Sequence, residues 1–331
     1  MTSPVLTTVA ERWRTRVGSG GRCLAWSPQC RLLVVGADGR ALVDQPGQLT
    51  PPLAPDPVAA TWMGERQLLV VDTVLGAVFA GSGAVGEQAI PGARCAGHAQ
   101  SLTVVAGVEV MAVFGRRPDR MTADLVPTGV GCGHALAHVG GHDWVVGGTT
   151  GVALVDVMRG RVEASVEAEG VRTLAWAGAA ERLVFADLGG SLHVLDRFDL
   201  DARVELQALP EPVRHLALAA DGDLLVVAAE GSFAWWWLDG SGLPLDEPDW
   251  AADHGAAVTA LAMSSDRLVA SGDAAGTVRL WSPRLTDHPV AELSLDTEIV
   301  DAAWSRCGRH LAVAAMSGEV AVVEVTPGQL V

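Results

Sequence analysis

The sequence predicts an all-β protein, a closed propeller of four-stranded blades. Three observations carry this expectation. Glycines recur at Gly39, Gly76, Gly107, Gly151, Gly190, Gly231, Gly276 and Gly318, at separations of 37, 31, 44, 39, 41, 45 and 42 residues, close to the period of about 40–45 that marks one propeller blade. Each glycine closes a short turn between two strand-like runs. The first run is β-branched and continuously apolar, as in a strand covered on both faces; the second alternates, as in a strand further out.

Taken in chain order, residues 31–44 (RLLVVGADGRALVD), 182–196 (RLVFADLGGSLHVLD), 223–239 (DLLVVAAEGSFAWWWLD), 267–282 (RLVASGDAAGTVRLWS) and 310–325 (HLAVAAMSGEVAVVEV) repeat one grammar. Glycine at the turn supplies positive φ without a Cβ clash. A further strand precedes each pair, at 23–27, 58–62, 171–176, 213–218, 258–264 and 300–305, and a polar one follows, as at 161–168 and 290–295. That makes four strands per unit. The last unit reaches its third strand at 319–325, while residues 4–16 (PVLTTVAERWRTR) precede the first unit. The N-terminus is therefore expected to supply the missing outer strand and remove the open edges between first and last blades. Eight blades follow, with seven plus one irregular unit as the alternative. The expected organisation is a single domain over 1–331, with a closing strand in 1–19, repeats in 20–325 and a tail at 326–331.

The seventh unit carries a family resemblance. His254-Gly255, residues 258–264 (VTALAMS), Ser271 and residues 276–281 (GTVRLW) resemble a WD-repeat blade, and the degenerate units in register extend the resemblance over roughly 20–325. In that family a His-Asp-Ser-Trp hydrogen-bond tetrad braces the blade. Here Ser282 follows Trp281 where the family has Asp, and Ala275 stands at the turn position where the family has the tetrad Asp. The resemblance thus implies an incomplete tetrad of His254, Ser271 and Trp281, while Asp38 keeps the turn Asp in the first unit.

Composition fits a rigid β body. Hydrophobic residues make up 49% of the 331, ample for one closed core. No apolar run approaches 18 residues, which argues against a membrane-spanning helix, and the charged N-terminus does not read as a signal peptide. Five scattered cysteines, Cys23, Cys30, Cys95, Cys132 and Cys307, fit reduced thiols better than a disulfide framework. The expected compartment is the cytoplasm. The absence of Lys, Asn and Tyr, with only two Ile, points to a GC-rich bacterial genome. A net charge of −16 argues against nucleic acid as a partner, because a phosphate backbone requires clustered cations.

The charge is unevenly placed. Arg22, Arg94, His134, Arg172 and Arg214 occupy one equivalent position near the start of the innermost strands, four residues before Trp26, His98, His138, Trp176 and Leu218; the other units have Val58, Thr259 and Val300 there. By resemblance to WD-repeat propellers, this position rims the central channel on the binding face. Two readings stand side by side. In one, the arginines pair with carboxylates near the same rim, such as Asp38, Asp72, Asp187 and Asp301, as weak surface ion pairs. In the other, convergent guanidinium groups form an anion site for an acidic peptide, a phosphopeptide or a small anionic metabolite.

Two further constellations stand out. Cys132, His134 and His138 share parity on a strand, a start for an N/S metal site, with Cys95, His98 and His142 nearby; the competing reading is packed or rim histidines. In Trp235-Trp236-Trp237, alternation puts Trp236 on the face opposite its neighbours, one face facing core and the other able to offer an aromatic anchor. The acidic segment 243–254 reads as a solvated connection.

No G-x-S-x-G elbow, P-loop or H-E-x-x-H helix appears. The expectation is a non-catalytic scaffold with no cofactor, binding a protein or peptide through the channel rim with Arg22, Arg94, His134, Arg172, Arg214 and Trp236, and contacting neither nucleic acid nor membrane. The alternatives are a metal-binding accessory protein that partners a metal-handling enzyme through Cys132, His134 and His138, and a propeller hydrolase or lyase.

Overall fold

A computed structural model describes the chain apart from residues 1–7, 19, 45–48, 64–66, 82–83, 116–122, 179, 198, 200–202, 207–210, 242, 251–253, 286–287 and 327–331. Residues 4–7 of the expected closing strand, 327–331 of the tail and Asp253 of the acidic segment therefore lie outside the described residues. All regular elements described are antiparallel strands.

The apolar runs form second strands whose residues are buried without alternation, as in Leu32–Gly36, Leu102–Ala106, Leu224–Ala228 and Val269–Asp273. Each lies within a sheet whose two faces are covered by neighbouring sheets, so both sets of side chains leave water, at about 1.5–3 kcal/mol for each fully buried aliphatic chain. Four-stranded units built this way span Pro57–Gln88, Val171–Leu206, His215–Trp250 and Val258–Ser294.

Two units are joined by one long strand. Asp124–Gly140 pairs through Asp124–Pro127 with Val110–Val113 as an outer strand, then through Gly133–Gly140 with Asp143–Gly148 as an inner one. Gly129 and Gly131, with φ of 70° and 71°, lie in the stretch where the chain passes from one role to the other. Among the described residues the first unit has three strands, Gly21–Trp26, Leu32–Gly36 and Ala41–Val43. Thr50 and Leu53 still hydrogen-bond alongside the third strand, Thr50 N–H to Ala41 O at 2.9 Å and Leu53 N–H to Gly39 O at 2.8 Å. Pro51 and Pro52, which have no N–H to donate, prevent a regular fourth strand.

In the last unit, Ile299–Trp304, His310–Ala315 and Glu319–Thr326 are followed outward by Thr8–Arg16, paired from Thr8 with Thr326 to Arg16 with Glu319. The N-terminal strand thus takes the expected outer place. Gly21–Trp26 lies against Ile299–Trp304, and Leu24, Leu32, Val34 and Leu42 share a core with Ala312, Ala314, Val320 and Val322. First and last blades are therefore neighbours.

Indole groups fasten adjacent blades. Trp26, Trp62 and Trp304 sit at the same place in their inner strands and donate Nε1–H to the carbonyl of Ala303, Ala25 and Ala262 in the preceding blade, at 2.9, 3.1 and 3.3 Å. Most turn glycines adopt the expected positive φ, including Gly39 at 73°, where a Cβ would meet Ala54 O at 1.8 Å. Gly107 and Gly231 do not.

Candidate functional site

The equivalent position at the start of each inner strand has a common backbone cause. Arg22, Val58, His134, Arg172, Thr259 and Val300 are each the extra residue where the register with the second strand shifts. A bulge takes its residue out of the in-out alternation and re-aims the side chain. Arg94 and Arg214 stand immediately before their strands, anchored by N–H bonds to Ala106 O at 3.1 Å and Ala228 O at 2.9 Å. All five cationic or protonatable members, Arg22, Arg94, His134, Arg172 and Arg214, are exposed.

They also sense one another. Burial and then the Arg94 charge hold His134 below the usual imidazole range. His215, next to Arg214, is pushed down to about 4 by burial and by Arg214 and Arg172. At neutral pH both imidazoles are uncharged, so the arginines carry the positive field. Arg214 pairs with exposed Glu230. Among the described residues, Arg22, Arg94 and Arg172 have no ion-pair partner.

The carboxylates expected to neutralise the ring are engaged elsewhere. Asp38 faces Arg40 at 3.7 Å, Asp72 Oδ1 accepts the N–H groups of Val74 and Leu75 at 2.8 Å, and Asp187 accepts from Ser191 N–H and from His193, both at 2.9 Å. Asp301, beside ring position Val300, accepts Leu24 N–H and Ala302 N–H, both at 2.8 Å. Burial pushes the Asp301 carboxyl up to about 7 against those two bonds.

Apolar tips surround this mouth. Val74, Leu188 and Met316, in the turns between second and third strands, are 74%, 51% and 54% exposed, and Val108 begins a third strand at 43% exposure. The pairings Pro57 with Asp72, Val171 with Asp187 and Ile299 with Ala315 put these turns at the ring end of the inner strands. Sequence reading missed these tips, because single apolar residues in turns carry no periodic signal.

Trp236 is not an exposed anchor: it is 4% exposed, packed with Val184, Leu192 and Leu225 between blades. Trp235 is buried on the opposite face with Phe233 and Trp281. Trp235 and Trp236 do lie on opposite faces, but in a propeller both faces of a third strand are covered. The exposed tryptophan is Trp250, at 48%, in the short outer strand Asp249–Trp250, so part of the acidic segment is a strand and not only a connection.

Cys132, His134 and His138 do not assemble. The bulge at His134 breaks the parity that would have put them on one face. Cys132 Sγ faces Gly92 O at 3.8 Å, and His138 accepts a place against Trp144, ring centroids 5.2 Å apart. Burial and nearby Cys132 push the Cys95 thiol up to about 12. Among the described residues no three His, Cys, Asp or Glu side chains form a metal-ligand group.

The tetrad of the seventh blade is complete, correcting the expected gap. Trp281 Nε1–H donates to Ser271 Oγ at 2.6 Å, Ser271 Oγ–H to His254 Nε2 at 2.5 Å, and His254 Nδ1–H to Asp273 Oδ2 at 3.0 Å. Asp273 Oδ1 accepts Ala275 and Thr277 N–H, both at 2.9 Å. An Asp two residues before Ala275 thus reaches the same imidazole. In the fifth blade Asp187 and buried His193 repeat the carboxylate–imidazole brace, with Arg203 Nε–H donating to His193 Nδ1 at 2.9 Å. These two residues border a polar groove of about 750 Å³ that also touches Glu167, Glu169 and Glu205.

With fold and site described, the class is defined: a β-propeller of four-stranded blades, one of which is similar to a WD repeat. Residues 252–282 match the family model described as WD domain, G-beta repeat. The computationally designed Ika8 protein is 19% identical with a TM-score of 0.75, over 93% of this chain and 97% of that one. The Dos1 propeller is 13% identical with a TM-score of 0.76, over 96% and 95%. No curated protein matches the sequence. No helix among the described residues is long and apolar enough to cross a membrane.

Proposed function

We propose that the protein is a non-catalytic binding scaffold that engages a protein or peptide through the ring mouth, recognising an acidic or phosphorylated group with Arg22, Arg94, Arg172 and Arg214 and bordering contacts from Val74, Val108, Leu188 and Met316. The observation that carries this reading is the set of exposed arginines at equivalent inner-strand starts, two of them presented by bulges and three without an ion-pair partner among the described residues. Exposed guanidinium groups held on a rigid frame bind anions with little ordering cost. Apolar tips around them supply the area that a small anion alone would not use. His134 joins as a neutral hydrogen-bonding group. All five thiols are free, in keeping with a reducing compartment such as the cytoplasm.

The test compares wild type with the Arg172→Ala, Arg214→Ala double variant, in affinity purification from native lysate with mass spectrometry and in titration with a poly-glutamate peptide. The expected result is a native circular dichroism spectrum in both and at least about tenfold weaker peptide binding in the variant, since each charge-assisted contact contributes roughly 1.5–3 kcal/mol. Equal binding by both proteins removes the ring from the function.

A further inference from the structure

At the opposite end of the inner strands, the first and last blades bring two cysteines together. Cys30 lies in the turn between Gly21–Trp26 and Leu32–Gly36, and Cys307 in the turn between Ile299–Trp304 and His310–Ala315. The two turns meet because the blades are neighbours: Trp26 bonds to Ala303 O at 2.9 Å and stacks on His310, ring centroids 6.2 Å apart. Cys307 is exposed, its sulfur contacts Ser305 Oγ at 3.3 Å and His310 Nδ1 at 3.9 Å, and Cys30 is the thiol of the facing turn. Cys30 holds its place with φ of 59°, its N–H bonded to Ser27 O at 3.0 Å.

We propose that Cys307 is a peroxide-reactive thiol and Cys30 its resolving partner, so that a hydroperoxide converts the pair into a disulfide linking the first blade to the last. The Cys307 thiolate attacks one oxygen of ROOH; the S–O bond forms, the O–O bond breaks, and the alkoxide leaves with the proton that the thiol released. The Cys30 sulfur then attacks the Cys307 sulfenic acid; the S–S bond forms, the S–O bond breaks, and hydroxide leaves with the Cys30 proton as water. Two thiols and one hydroperoxide become one disulfide, one alcohol and one water. A dithiol reductant reverses the change by exchange.

The local chemistry favours this pair over the other thiols. Hydrogen bonds from Ser305, the Arg309 backbone, Cys30 and His310 outweigh burial and bring the Cys307 thiol down to about 6. Burial pushes Cys23 up, and Cys95 up to about 12. The thiolate is the nucleophile, although its intrinsic reactivity falls with its pKa.

The experiment treats reduced, desalted full-length protein at pH 7 with hydrogen peroxide, then maps peptides under non-reducing conditions. A Cys30–Cys307 cross-link is expected, reversed by dithiothreitol. Cys307 is expected to be alkylated by iodoacetamide roughly three- to tenfold faster than Cys132, the gain in thiolate fraction being partly offset by lower nucleophilicity. Cys30→Ser should instead yield a Cys307 sulfenic acid trapped by dimedone, and Cys307→Ser should yield neither product. Peroxide treatment that leaves both thiols reduced, or a Cys307 that alkylates no faster than Cys132, overturns the proposal. Native circular dichroism spectra of both Ser variants keep those outcomes separate from misfolding.

Discussion

Trp26 Nε1–H donates to Ala303 O at 2.9 Å, so a side chain near the start of the chain is bonded to the backbone of its last blade. Trp176 occupies the equivalent place in the fifth blade, yet among the described residues its buried Nε1 has no partner. The two tryptophans differ in the one term that a Phe substitution removes.

Trp26→Phe and Trp176→Phe lose similar ring volume. Only the first leaves a carbonyl without its donor, at about 1–3 kcal/mol, whereas the second removes an unpaired N–H. Urea unfolding should show Trp26→Phe less stable than Trp176→Phe by roughly 1–2 kcal/mol. Equal losses would mean that the inter-blade bond contributes nothing net.

The seventh-blade relay gives a second prediction. Asp273 is the terminal acceptor for His254 and also binds two turn N–H groups. Asp273→Ala removes all three bonds in a buried site and should cost about 2–4 kcal/mol, placing it among the severe single substitutions. Ala275→Asp, which restores the usual family residue at that turn, should bring no comparable gain because the imidazole is already satisfied. A thermal melt of both variants decides the matter; stabilisation by Ala275→Asp beyond about 1 kcal/mol would show that Asp273 is a poor substitute.

The blade architecture was legible because it is written in periodicity: Gly39, Gly276 and the apolar runs before them each mark a turn and a covered strand. The outer strand from residues 8–16 was legible from the last unit lacking one. Trp236 was misread because alternation tells which residues share a face but not whether that face is covered. The proposed metal set failed for a related reason, since one bulge at His134 reverses the parity downstream and nothing in the sequence announces it. Asp273 is not legible as a tetrad member because the repeat spacing puts the carboxylate at position 275, whereas the side chain needs only to reach His254 in space. Cys30 and Cys307, 277 residues apart, become neighbours only through closeness of the end blades.

Glu230 offers a test of the ring by gain of function. It pairs with Arg214, and both are exposed. Glu230→Gln frees the guanidinium and removes a repulsive charge from the mouth. Poly-glutamate affinity should rise by roughly two- to fivefold at low salt, in line with up to about 1 kcal/mol for an exposed pair. The gain should shrink at high salt. No change at low salt would place the ligand away from Arg214.

Asp301 predicts a pH dependence whose sign can be worked out. Its carboxyl rises from 3.8 to about 7 in the folded protein, chiefly through burial. Between those values the folded state holds a proton that the unfolded chain has released, so stability falls as pH rises from about 4 towards 7, and the loss stays in place above 7. His215 acts the other way: its folded value of about 4 lies below the 6.5 of the unfolded chain, and stability falls as pH drops across that interval. Asp301→Asn cancels the first effect and leaves the second. Measured by urea unfolding, the variant should be more stable than wild type at pH 8 by on the order of 2 kcal/mol, with the difference falling away at pH 4. A stability difference that is constant across this range would show that Asp301 ionises alike in folded and unfolded chains, and that the bonds from Leu24 and Ala302 N–H offset its burial in full.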